Sequence, residues 1–223
     1  MEIKFSEEIV EKLPELRVLL ITADVSNPPT SDELWAEIIQ YGKEFQETYK
    51  LEDINKRPGI AGTREAYKML GKEPNRYRPS TEAMCRRFVK GYELYRSLAL
   101  IDLINLLSLK SGYSIGGFDS DKIEGDVLTL GVGEEGEPYE AIGRGLLNIA
   151  HLPVFRDSVG GVGTPTSDND RTKLSADTKH LAATINIYRE EMSIEDTLAL
   201  ATRLLTDYGL ATNIQAKVYS VSE

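Results

Sequence analysis

From Leu98 to Leu109 nearly every residue is apolar, and at that length such a run reads as a helix buried on most of its sides. The exceptions are Asp102, Asn105 and Ser108. Spaced by three, they fall on one narrow stripe, so the helix carries a carboxylate and a carboxamide into the interior together. Buried polar groups need partners. Two readings follow: the stripe ties the helix to a neighbouring loop, or it forms one wall of a small-molecule pocket. Gly112 ends the helix, and Gly116-Gly117 come next, where a backbone without side chains admits a close approach.

The rest of the chain supplies elements to pack around that helix. Met1-Glu2-Ile3-Lys4 leads into a charged helix that Ser6 caps and Pro14 stops. Leu16 to Ala23 is a short apolar run rich in β-formers, read as a buried strand. Thr30 with Glu33 makes a capping box for an amphipathic helix bearing Leu34, Ile38, Tyr41, Phe45 and Tyr49. Lys56 to Gly59 reads as a loop, Thr63 to Leu70 as a short helix, and Ser80 as the cap of a basic helix that Gly91 ends. Val127–Val132 and Tyr139–Ile142 flank an acidic turn and read as a hairpin. Ile149–Phe155 and Leu181–Ile187 read as strands, Ser193 with Asp196 caps a helix ending near Gly209, and Ile214–Val221 closes as a strand. Helices and one strand come first and strands dominate later. The expected class is α+β: helices packed on a strongly bent or sandwich-like, mostly antiparallel sheet.

At 223 residues, with no internal repeat or composition break, the chain is expected to form a single domain. Residues 1–55 read as a helix-strand-helix extension packed on the remainder. Cys85 is alone, so disulfides give no support, and its place on the basic helix suits a partly buried thiol. The chain shows no signal peptide and no apolar run near the ~20 residues that span a bilayer, so the expected location is cytoplasmic. The net charge of -10 argues against an indiscriminate nucleic-acid binder. Between Lys56 and Arg96, however, eleven basic residues face four acidic ones, a local +7 that leaves -17 elsewhere. Such asymmetry suits a partner docked in one orientation, or a set of solvated helix faces.

Several chemistries drop out. One Cys, with His151 and His180, does not assemble a zinc site, and neither His has a nucleophile motif nearby. Val159 to Pro165 is glycine-rich but lacks the Lys-Ser/Thr ending of a phosphate loop; it suits close backbone approach or a bend in a sheet. Asp119-Ser120-Asp121 lacks the Gly and Glu of a calcium loop. No metal is expected. Thr166 to Lys173 remains as a dense polar loop that is either ordinary turn chemistry or a place where Arg171 clamps a carboxylate or phosphate.

Residues 101–126 resemble the central segment of the editing (tRNA-binding) domain in the β subunit of bacterial phenylalanyl-tRNA synthetase. There an Asp, a nearby Asn and a Gly-ended helix lead into a Phe-Asp turn, here Asp102, Asn105, Gly112 and Phe118-Asp119-Ser120-Asp121-Lys122-Ile123-Glu124-Gly125. Free-standing proteins built from that domain are more similar still. They carry Arg-Pro-Ser before a basic helix, here Arg78-Pro79-Ser80 and Arg86-Arg87, and a late Asp-Arg-Thr, here Asp170-Arg171-Thr172 followed by Asp177-Thr178. The resemblance runs from about residue 64 to 190. At two positions the chain departs from it: Gly116 stands where the synthetase has a His, and Thr184 where it has a pocket Glu.

The resemblance implies the same fold and an aminoacyl-tRNA deacylase acting in trans on mischarged phenylalanine tRNA, without aminoacylation. The alternative is a non-catalytic module binding tRNA or an amino acid. An aminoacyl ester is already activated, so a placed water, donors for the oxyanion and a selective pocket suffice, with no cofactor. In the implied site Gly116 and Gly117 act as backbone donors, and Asn105 with Asp102 orients substrate or water. Phe118, Asp119, Asp168, Asp170, Arg171 and Thr172 surround the substrate. Arg78, Arg86, Arg87 and Lys90 meet the acceptor stem. The implied partners are the tRNA acceptor end and its aminoacyl group; no oligomeric state follows.

Overall fold

The computed structural model describes residues 1–222. The chain opens with β1 (Glu2–Phe5) and α1 (Glu7–Lys12), whose cap Ser6 accepts from the Ile9 N–H, and continues into β2 (Arg17–Asp24). The helix α2 (Asp32–Thr48) is capped by Ser31, which accepts from Leu34 N, and not by Thr30. Thr30 is drawn away because its hydroxyl donates to Asp102. The expected loop at Lys56–Gly59 is a 3-10 turn (Ile54–Lys56) running into α3 (Pro58–Leu70), with Pro58 in the first turn, where a missing N–H leaves no bond unmade. α4 (Ser80–Val89) follows Pro79, so Ser80 is its first residue and not its cap. α5 (Ala99–Ser111) is the apolar helix, closed by Gly112 at φ 81°.

Next come β3 (Ile115–Asp119), β4 (Val127–Val132), β5 (Glu140–Ala141) and β6 (Gly145–Leu146). β7 (Pro153–Arg156), β8 (Gly161–Gly163), β9 (His180–Ile187), α6 (Ile194–Gly209) and β10 (Thr212–Ser220) complete the order. The expected hairpin of β4 with Tyr139–Ile142 does not form. β5 pairs with β6 across a short turn, and β4 pairs with β1 and β7. The strand expected at Ile149–Phe155 is shorter because His151 turns the chain at φ 66°.

Period-two alternation in β2 and β9 sets the architecture. These strands lie inside an antiparallel sheet of order β10-β2-β9-β3. Leu19 and Ile21, with Leu181, Ala183, Ile185 and Ile187, face α2, α4, α5 and α6 through residues such as Ile38, Phe88, Leu103 and Leu204. Val18, Leu20, Ala182 and Phe118 face the second sheet, ordered β1-β4-β7-β8, and meet Ile3, Leu130 and Phe155. The layers are therefore helices, sheet, sheet, an α+β sandwich that is antiparallel except for the β1–β4 pair. The first 24 residues are not an extension packed on the outside. β2 is an interior strand of one sheet and β1 an edge strand of the other. The alternation that looked like one buried run serves two cores.

Candidate functional site

The stripe on α5 divides. Asp102 is buried and bonded to protein: it accepts from the Thr30 hydroxyl and from Ser97 N at 2.8 Å, tying α5 to the loop before α2. Burial raises its pKa, with those two bonds opposing. This answers the first of the two readings for Asp102 Oδ2; Oδ1 is buried without a hydrogen-bond partner, and Asp102 is not among the residues that line the cavity one turn on. One turn on, Asn105 is only half-buried and faces a cavity of about 330 Å³. Ile101, Ile104, Asn105 and Ser108 wall this cavity from α5, as residues spaced by three and four must on one helix face. Ser80 and Met84 of α4 form a second wall, and Ile115 and Gly117 of β3 a third.

The fourth wall is the loop after β8, which brings Thr164, Ser167 and Asp168 to the cavity. This loop is firmly held. Tyr139 donates to Ser167 O at 2.7 Å, Tyr67 and Thr166 hydroxyls lie 2.8 Å apart, and Thr164 Oγ1 accepts from Thr166 N and Ser167 N. Asp168 Oδ2 accepts from Gly117 N at 3.1 Å, at the open edge of β3. Enclosure of the carboxyl pushes its pKa up to about 7, with the Gly117 N–H pulling the other way. Its proton is thus held to a higher pH than an ordinary carboxyl's. A carboxyl of this kind on the wall of a cavity that a carboxamide also lines is equipped to accept a proton from water.

The paired glycines do not present two free donors. The Gly117 amide is taken by Asp168, and alternation along the strand turns the Gly116 amide toward β9. Their small size serves packing. A Cβ on Gly117 would lie 2.6 Å from Ile104 Cδ1, and one on Gly116 would lie 2.6 Å from Phe118 Cζ and 2.9 Å from Thr184 Oγ1. Gly116 stands opposite Thr184 in the β3–β9 register, so the two departures from the synthetase pattern are one place in space. That place is a small void, about 10 Å³, on the other side of β3, lined by Gly116, Phe118, Thr184, Asn186 and Asp168. Asp168 thus borders both spaces.

Of the expected site residues, Asn105, Gly117 and Asp168 line the cavity, and Gly116 and Phe118 line the small void on the other face of β3. The others are held elsewhere. Asp119 binds Thr178 Oγ1 and Lys122. Asp170 pairs with Lys173, and Arg171 with Asp157 at 2.8 Å and the Lys122 carbonyl. Thr172 is fully buried. Arg171 is therefore held as a loop staple, away from the residues that line the cavity. Thr164, Ser167 and Lys173 also line the cavity; the crowded polarity of 166–173 is the signal for the last two, and the glycine-rich stretch 159–165 for Thr164.

The basic segment is less exposed than its composition implies. Arg57, Arg64 and Lys72 are buried: Arg57 on Glu191 and Cys85, Arg64 on Glu82, Lys72 on the Asn148 and Ala150 carbonyls. Glu82 also holds Arg86 at 2.8 Å and lies 3.9 Å from Arg78. Arg78 and Lys90 remain on the surface, and Arg87 lies partly open. Cys85 is fully buried, and burial pushes its thiol up to about 11. His180 is exposed against Asp121 at 2.8 Å. Among the described residues, no His/Cys/Asp/Glu group could hold a metal, and no helix is long and apolar enough to cross a membrane. A larger groove of about 580 Å³, between α1 and α3, holds none of the expected residues.

No curated protein matches. Among solved structures, the chain is similar to an N-terminal fragment of the phenylalanyl-tRNA synthetase β subunit from Pyrococcus horikoshii. The identity is 14% and the TM-score 0.45, over 97% of this chain and 50% of that one. The chain thus spans half the length of that fragment. Residues 62–204 match the B3/4 domain, which places this chain in the B3/4 domain family, a domain found in phenylalanyl-tRNA synthetase β subunits.

Proposed function

We propose that the protein binds the aminoacylated 3′ end of a tRNA and hydrolyses the ester, acting in trans on mischarged phenylalanine tRNA in the cytoplasm and carrying out no aminoacylation. The observation that supports this most is the meeting of Asn105 and the near-neutral Asp168 in one apolar-walled cavity. Ionised Asp168 takes a proton from a water molecule as that water adds to the ester carbonyl. The Asn105 carboxamide orients the carbonyl and steadies the negative charge that develops on its oxygen. The C–O bond to the ribose then breaks, and the proton held by Asp168 passes to the leaving ribose oxygen. Water is the only co-reactant. Ile101, Ile104, Ile115 and Leu174 enclose the amino-acid side chain. Arg78, Arg86, Arg87 and Lys90 meet acceptor-stem phosphates, so binding weakens as salt rises.

A second reading, a non-catalytic module for tRNA or an amino acid, draws support from the Gly116–Thr184 pair. There the synthetase's His and Glu are both absent, and the Phe118 ring stands close. The readings part on one experiment: phenylalanine tRNA charged with tyrosine, and separately with phenylalanine, is incubated with the protein. Selective release of tyrosine that falls in Asn105→Ala supports the hydrolase. Binding without release supports the module.

A further inference from the structure

Beyond α4 the chain does something unusual for a surface loop. Tyr92 and Tyr95 are 59% and 79% exposed, large rings in water where burial is the norm. The loop that carries them is anchored at both ends. Arg87 donates to Glu93 O at 2.6 Å, and Arg96 donates to Thr30 O and Asp32 Oδ1. The Arg87 guanidinium lies 4.4 Å from the Tyr95 ring centroid and 5.7 Å from that of Tyr92. One cation thus serves both rings, and the exposure of Tyr95 leaves much of its surface open. From Arg86 to Arg96 four basic residues accompany one acidic residue, Glu93, on a chain whose net charge is -10.

This platform is in line with the cavity. Ser80 and Met84, which form one cavity wall, and Arg87 recur at i, i+4 and i+7, so they share one face of α4. Seven residues of helix are about 10 Å long, the length of about three stacked nucleotides at roughly 3.4 Å each. Exposed aromatic rings interleaved with cations are what unpaired bases and their phosphates require.

We infer that Tyr95 and Tyr92, held by Arg87, form a stacking platform for unpaired nucleotides, so that a single-stranded RNA end runs along α4 toward the cavity. The inference deepens the tRNA reading and rests on it for the direction of the strand. Lys90, exposed at the end of α4, meets the phosphates of the same strand. Sequence specificity is not expected, since every base presents a π-face.

The test uses a labelled RNA hairpin with four unpaired 3′ nucleotides and no amino acid, and the same hairpin blunt-ended, with binding followed by fluorescence anisotropy. The tailed hairpin should bind more tightly, and Tyr95→Ala should weaken it at least about fivefold. Tyr95→Phe should bind within about twofold of wild type, since the ring remains. Lys90→Ala should lower the slope of log affinity on log salt by about 0.7. Equal binding of both hairpins, or unchanged binding by Tyr95→Ala and Tyr92→Ala, overturns the platform. Because the probe carries no ester, the two proposals fail separately. Tail binding without deacylation keeps the platform and removes the hydrolase, whereas deacylation with unaltered KM in Tyr95→Ala does the reverse.

Discussion

Replacing Asp168 with Asn should stabilise the protein progressively as the pH rises toward neutrality. In the unfolded chain this carboxyl titrates near its ordinary value of 3.8, whereas in the folded cavity burial holds it at about 7. Between those values the folded state keeps a proton that the unfolded state has lost, so wild-type stability falls by about 1.4 kcal/mol per pH unit. The loss ends once the pH passes the folded value. A shift of this size corresponds to roughly 2–4 kcal/mol. Asn imitates the protonated acid in shape, and its oxygen still accepts from Gly117 N, so the variant does not titrate. Urea denaturation of both proteins from pH 4.5 to 8.5 gives the difference directly, with other groups cancelling. The variant's advantage should grow between pH 4.5 and 7 and then level off. A difference that stays flat would show that Asp168 ionises normally and is no near-neutral base.

Three further outcomes follow from the packing. Gly116→Ala should cost about 1–3 kcal/mol, because its Cβ would meet Phe118 Cζ at 2.6 Å; chemical denaturation checks this. Glu82→Gln should cost on the order of 3 kcal/mol, since Glu82 is fully buried and the substitution leaves the buried Arg64 guanidinium without a counter-charge. A melting temperature within error of wild type would contradict that. Cys85, buried and with its thiol raised to about 11, should resist a thiol reagent in the native protein and react fully in denaturant.

The sequence made the architecture readable where one signal dominated. The run at 98–109, the alternation at 181–187 and the Ser193 cap correspond to α5, β9 and α6. Reading was harder wherever a residue's partner lies far along the chain. Thr30 looked like a helix cap because its bond to Asp102 spans 72 residues. β1 was hidden because four residues carry too little pattern, and only its parallel pairing with β4 makes it a strand. The same limit applies at the site. Asp102 and Asn105 share a stripe in the sequence, yet Thr30 and Ser97 close over one and leave the other at the cavity. The glycine pair suggested open backbone, but Ile104 and Phe118 occupy the room it leaves. Basic residues at 56–96 suggested a face, whereas Glu82, Glu191 and two carbonyls draw three of them inside.

The most direct test of the central claim is the rate of tyrosine release from mischarged phenylalanine tRNA, measured from pH 5.5 to 8.5 with wild type, Asp168→Asn and Asn105→Ala. The wild-type rate should rise with pH and level above about 7, as Asp168 loses its proton. Asp168→Asn should be folded and, near neutral pH, more stable than wild type, yet slower by about 10²-fold or more; Asn105→Ala should also be slow. Wild-type release that Asp168→Asn leaves unchanged, or no release by any of the three while each still binds the tRNA, would contradict it.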